Sequence, residues 1–190
     1  MTSSYEKYPS VAVKGWDGTA VKGYGPIMET LRRKYEESKR TDYRIAFDTY
    51  PGVCDEEVME AIKGLKPDTV LSMENAFLPE EVLERQLKHN LTDDRVFGRM
   101  YYGEIEDLMD AEALEKIKAE AEEAKGLTVI YGFGAGLAAD ADMLVYLDMA
   151  RWEIQLRFRG GMPNYHCTNR DEDPLRKYKR AFFVEWRIAD

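Results

Sequence analysis

Four short apolar runs set the plan of this chain: residues 43–48, 69–73, 127–132 and 143–148. None alternates cleanly between apolar and polar, so each suits a strand buried on both faces. Stretches of helical period lie between them. Ile27, Leu31 and Tyr35 predict a helix from Pro26 to about Ser38, and Val58, Ala61, Ile62 and Leu65 a second, ending at residues 64–67. Pro79 with Glu80 and Glu81 opens a third through Val82, Leu83 and Leu87. Asp110 caps a fourth that carries Leu114, Ile117, Ala121 and Ala124. Strands alternating with helices imply βαβ units. The expected fold is therefore a three-layer α/β domain with a mainly parallel sheet of about five strands. In 190 residues there is no internal repeat, low-complexity tract or linker, so residues 1–190 read as one domain.

Three segments are harder to place. Residues 95–102 read as a strand, and an irregular arm up to Gly25 holds a short strand at 11–13. In ARWEIQLRFR (150–159), Trp152, Ile154, Leu156 and Phe158 alternate as in a strand. A crossover helix is nonetheless due after the run ending at Asp148, so a helix packed on two sides is expected. Asp173-Pro174 starts a last helix whose apolar face, Leu175, Tyr178, Phe182, Trp186 and Ala189, persists to the final residue. That pattern predicts a chain that once continued.

Charge and cysteine content narrow the function. With 36 acidic against 27 basic residues and no long basic run, the chain is unsuited to nucleic acid, whose binding requires Lys and Arg to neutralise phosphates. No apolar stretch has the length of a membrane span, and Met1-Thr-Ser-Ser-Tyr is not a signal peptide. Two cysteines make no disulfide framework, which points to a reducing cytoplasm. Cys54, His89, His166 and Cys167 lack metal-ligand spacing, so neither a metal nor another cofactor is expected in this chain.

The chemistry-bearing stretch is FDTYPGVCDEEVMEAI (47–62), a strand, a tight turn and a helix start. A phosphate-gripping loop stands at such a junction and needs successive backbone N–H groups, a lysine on the outer phosphates and a hydroxyl for Mg²⁺. Tyr50, Pro51, Gly52, Val53, Cys54 and Asp55 supply neither side chain. Asp55, Glu56 and Glu57 then fill the first helical turn, where they stabilise the helix and repel a nucleotide. GFGAG (132–136) is not G-x-G-x-x-G and reads as a tight turn. Arg151, Arg157 and Arg159, with Arg170 in the polar loop GGMPNYHCTNRDED and Arg176 beyond it, either bind an anion bidentately or pair with Glu153, Asp171, Glu172 and Asp173.

The junction at 43–65, LSMENAF, TVIYGFGAGL and the late arginine-bearing segment resemble nucleoside- and sugar-kinase P-loop folds. YPGVCDEEVMEAI, DDRVFGRM, LVYLDMARWEIQLRFR and YKRAFFVEWRIAD more closely resemble the amino-terminal kinase-like region of bacterial class I mannose-6-phosphate isomerase-like proteins, over residues 5–190. That resemblance implies a kinase-like fold whose Walker A position, residues 50–55, has lost its chemistry. It also implies a cupin isomerase domain downstream in cis, the only place where zinc is expected, so this chain alone should not isomerise mannose 6-phosphate. Asp48 at the end of the first strand, Glu74 after the second and Asp148 after the last fall at the edge where such sheets bind ligands, with Glu74 near the position of the kinase base. Glu74, Arg95, Arg99, Arg157 and Arg159, with Arg170 nearby, could hold a sugar phosphate without nucleotide, or form an internal ion-pair network. Three functions stand open: an accessory or regulatory domain, a divergent phosphotransferase with a rebuilt loop, and a non-catalytic interaction domain.

Overall fold

Each apolar run becomes a strand, but only those at 43–49 and 127–132 are buried on both faces. The other two lie at the sheet edges, with Val70, Leu144 and Tyr146 exposed. The order of the strands fixes where a site can lie. The computed structural model describes residue 6 and residues 8–190; the reading of the first five residues as no signal peptide falls outside them. Helix α1 (Tyr24–Ser38) leads into β1 (Tyr43–Thr49), α2 (Asp55–Lys63) and β2 (Thr69–Ser72). Then come α3 (Glu80–Leu91), α4 (Ala111–Glu123), β3 (Leu127–Gly132), β4 (Met143–Leu147) and α5 (Arg151–Arg159). The sheet is parallel throughout, in the order β2-β3-β1-β4, with Ile45 paired to both Val129 and Met143. All carboxyl ends therefore face the same way, and the loops after them gather at one edge.

Strand alternation divides the core between two faces. Ile45, Phe47 and Val129 pack with Met28 of α1 and with Val58 and Ile62 of α2. Ala46 and Ile130 point the other way, onto Leu83 and Leu87 of α3 and Leu114 and Ile117 of α4. A third cluster, Tyr50, Ile154, Phe158, Ala181 and Trp186, closes the carboxyl edge. There α5 crosses the last helix, α6, which runs unbroken through Pro174–Arg180, a π-turn at Ala181–Glu185, and Trp186–Ala189. Among the described residues no helix is long and apolar enough to cross a membrane.

Several expectations need correction. The sheet has four strands rather than five. Residues 95–102 are irregular because local side chains satisfy the backbone. The Asp94 carboxylate accepts the amides of Val96 and Phe97, and the Asn90 side chain donates to the carbonyls of Arg99 and Met100. Residues 11–13 form no strand; Val11 and Val13 are exposed, with no partner strand recorded for either. The second strand stops at Ser72, since Met73 begins a tight turn that buries it with Ala76. Residues 151–159 are helical as expected, but packed on one side only: Ile154 and Phe158 are buried, whereas Trp152 and Leu156 face solvent. The loop 160–173, which its composition marks as lid-like and mobile, is anchored from behind. Lys177 on α6 donates to the carbonyls of Phe158, Met162 and Arg170, and the Asn164 side chain donates to the Lys177 carbonyl.

Candidate functional site

The turn after β1 decides what this edge can bind. The Tyr50 amide donates to the Leu147 carbonyl at 2.9 Å, and the chain then doubles back, with the Val53 amide donating to the Tyr50 carbonyl at 3.2 Å. Gly52 adopts φ of +107°, a region that disfavours any side chain. Ile154 of α5 lies against it so closely that a Cβ on Gly52 would stand 2.7 Å from Ile154 Cγ1. The Gly52 carbonyl accepts from the Arg157 guanidinium at 3.0 Å. The turn is thus filled by α5, and α2 opens behind it with Asp55, Glu56 and Glu57.

Between this turn and the loop 160–170 lies a cavity of about 580 Å³, walled by Asp55, Glu74, Arg157, Tyr165, His166 and Arg170 among others. A recess of about 150 Å³ continues it down to Ser72 and Gly132 at the strand ends, past Tyr131. A larger groove of about 990 Å³ runs along α1 beside Val21 and Arg32, but none of the loops at the carboxyl edge reaches it. In open α/β sheets ligands occupy the carboxyl edge, so the smaller cavity is the better candidate.

Aromatic packing and hydrogen bonds hold its walls. Tyr165 stacks edge-on to Phe77 and Phe133, with ring centres 5.0 and 5.5 Å apart. His166 sits in the left-handed region at φ of +50°, and its Nδ1 lies 3.4 Å from Glu74 Oε1. Non-glycine residues held this way tend to mark functional sites, because the surroundings must offset the strain. Thr168 donates through both its amide and its hydroxyl to Glu80, each at 2.8 Å. Cys167 beside it is chemically quiet, since burial pushes its thiol up to about 12.

Electrostatics differ from wall to wall. Asp55 accepts the Tyr131 hydroxyl at 2.6 Å. Although much of the residue meets solvent, its carboxyl leans into the recess. Desolvation there holds it above the usual carboxylate range; the Tyr131 bond opposes this, and Glu74 and Glu56 add to it. Burial and Asp55 together push the Tyr131 hydroxyl up. A carboxyl whose pKa is raised by folding gives stability at low pH that is lost as pH climbs through its folded value. Asp55→Asn keeps an acceptor for Tyr131. It should therefore melt at a higher temperature than the parent near neutral pH, with the gap closing below about pH 4. Equal melting temperatures across that range would contradict it.

The structure distributes the sequence-marked residues unevenly. Glu74, Arg157, Arg170 and the turn residues Gly52 to Asp55 line the cavity. Tyr50 and Pro51 lie beneath, with the Tyr50 hydroxyl donating to Asp190 at 3.0 Å. Asp48 is consumed structurally: its carboxylate accepts the amides of Gly134 and Gly136 at 2.9 and 3.0 Å, which makes GFGAG the tight turn expected. Asp148 is exposed and accepts the Met149 amide. Three arginines are drawn elsewhere by other partners. Arg95 pairs with Asp173, Arg99 lies on the His89 ring, and Arg159 donates to the Tyr178 hydroxyl and covers Trp152. Sequence reasoning did not single out Tyr131 or Tyr165, and it weighed His166 only as a metal ligand and set it aside. The nearest signal for Tyr165 and His166 was the glycine-rich loop that contains them. Among the described residues no three His, Cys, Asp or Glu side chains group as a metal site.

Comparison with known proteins agrees with this architecture. The crystal structure of a candidate fructose transport system kinase from Silicibacter sp. TM1040 superposes with a TM-score of 0.54. The match covers 89% of this chain and 93% of that one at 11% identity, so the likeness is one of fold, a kinase-like α/β architecture. No curated protein matches the sequence. Residues 23–190 match the family described as Domain of unknown function (DUF8485). Since that match runs through both loops that wall the cavity, the chain belongs to the DUF8485 family.

Proposed function

We propose that this chain is a kinase-like domain that binds a phosphorylated small molecule, a sugar phosphate, without drawing phosphate from a nucleotide. The observation that carries the reading is that Arg157 and Arg170 both line a cavity whose phosphate-loop position has no lysine and is filled by Ile154. Arg157 is held by the Gly52 carbonyl and by Glu153 at 3.3 Å, and Arg170 lies within electrostatic range of Glu56. Two guanidinium groups suit a phosphate dianion, while Glu74 and Asp55 in the same cavity suit sugar hydroxyls as acceptors. The finer role, an accessory or regulatory domain beside a cupin mannose-6-phosphate isomerase, is supported by the sequence strings alone. A second reading, phosphoryl transfer to a sugar, draws support from the description of the Silicibacter protein. It requires a nucleotide to sit against Asp55, Glu56 and Glu57, which oppose its charge.

Calorimetric titration with mannose 6-phosphate, fructose 6-phosphate and ATP separates these readings. Heat with a sugar phosphate and none with ATP is expected, and Arg157→Ala should weaken the binding by about tenfold, the worth of a charged hydrogen bond. Silence from all three ligands would end the binding idea, and turnover of ATP would establish the second reading in its place.

A further inference from the structure

The π-turn at Ala181–Glu185 brings a buried carboxylate to the back of the cavity wall. Glu185 is 5% exposed, and its Oε1 accepts from Arg180 Nε at 3.1 Å. Its other oxygen faces the loop. Oε2 accepts from Asn164 Nδ2 at 3.1 Å. Asn164, itself buried, is fixed further by Asn169, which accepts its amide and donates to its side-chain oxygen, both at 2.9 Å. The chain therefore enters Tyr165 and His166 with no slack, and His166 takes its left-handed conformation directly after the clamp.

Helix geometry explains why the turn is π. Glu185 follows Lys177 by eight residues, which on a straight α-path leaves it about 80° round from the face that Lys177 presents to the loop. One extra residue in the turn reduces the effective separation to seven and brings Glu185 back to within about 20° of that face. Both side chains then reach the loop, Lys177 at the carbonyls of Phe158, Met162 and Arg170 and Glu185 at Asn164. Single π-turns inside α-helices are often found at functional sites.

We infer that Glu185 is the positioning residue of the cavity: through Asn164 it sets where Tyr165 and His166 stand against Glu74. Its use in ligand binding rests on the reading proposed above, but its hold on the loop does not. The test compares the full chain with Glu185→Gln, which keeps size and loses charge, and with Asn164→Ala, which spares the Arg180–Glu185 pair. Hydrogen exchange of the Tyr165, His166 and Cys167 amides should quicken by about tenfold in both variants while the amides of β1 and β3 stay unchanged. The His166 ring resonances should move in both, and mannose 6-phosphate should bind about tenfold more weakly. Unchanged exchange together with unmoved His166 resonances would overturn the inference, as would an equal rise in exchange across the sheet. Should Glu185→Gln fail to fold, Asn164→Ala decides alone. If the parent binds no sugar phosphate, the ligand reading falls, and exchange and the His166 ring still decide the role of Glu185.

Discussion

Val129→Asp should leave the chain unfolded in the absence of any denaturant. Val129 is fully buried at the middle of β3, with Ile45 of β1 on one side and Val70 of β2 on the other. Its side chain sits among Met28, Val58 and Ile62, with no cation in that cluster. A carboxylate there has neither partner nor water and must be protonated or exposed. The cost, more than about 4 kcal/mol, is comparable with the whole stability of many domains of this size. Val145→Asp makes a useful companion. Val145 lies on the edge strand β4 and is only half-buried, so a charge can lean towards solvent and the loss should be smaller. Far-UV circular dichroism with a urea melt checks both. A cooperative transition for Val129→Asp near that of the parent would show that the sheet does not enclose this position.

The second large effect is expected from Lys177→Met. This lysine is 1% exposed, and its ammonium donates to the carbonyls of Phe158, Met162 and Arg170 at 2.8, 3.0 and 2.8 Å. It thereby closes the C-terminal end of α5, where unpaired carbonyls and the helix dipole favour a cation, and it fastens the loop 160–173 at two points. Methionine fills the same space without a donor. The Met162 and Arg170 carbonyls lose their partner while that of Phe158 keeps the Gly161 amide, and a loss of about 3 kcal/mol follows if the bonds outweigh the cost of burying the charge. Chemical denaturation measures the total, and exchange in residues 160–173 shows whether the loop is released. A variant as stable as the parent would mean that desolvation of the ammonium cancels its three bonds, and the lysine would then act only as filler.

That same lysine shows where sequence reasoning stops. Within LRKYK (175–179), Lys177's neighbours give no local sign of burial, since a cation next to Tyr178 and flanked by Arg176 and Lys179 reads as part of a solvated helix face. The three carbonyls that make burial tolerable come from α5 and from a loop, and no pattern within α6 announces them. Local pattern did determine the elements. The apolar runs became β1 to β4, the period of 3.6 marked α1 to α4, and Asp110 caps α4 through the Ala113 amide as its position suggested. It also determined the altered junction, because a missing lysine and three acids in one turn are facts of composition. Periodicity states which face of an element is apolar, without naming what covers it. The strand order, the filling of the Gly52 turn by Ile154, and the selection of Arg157 and Arg170 over Arg95, Arg99 and Arg159 were decided only when the chain folded. Asp55, Glu74, Tyr131 and Tyr165 share one cavity because parallel crossovers bring distant loops to the same edge of the sheet, and such convergence arises from tertiary packing that no local window of sequence contains.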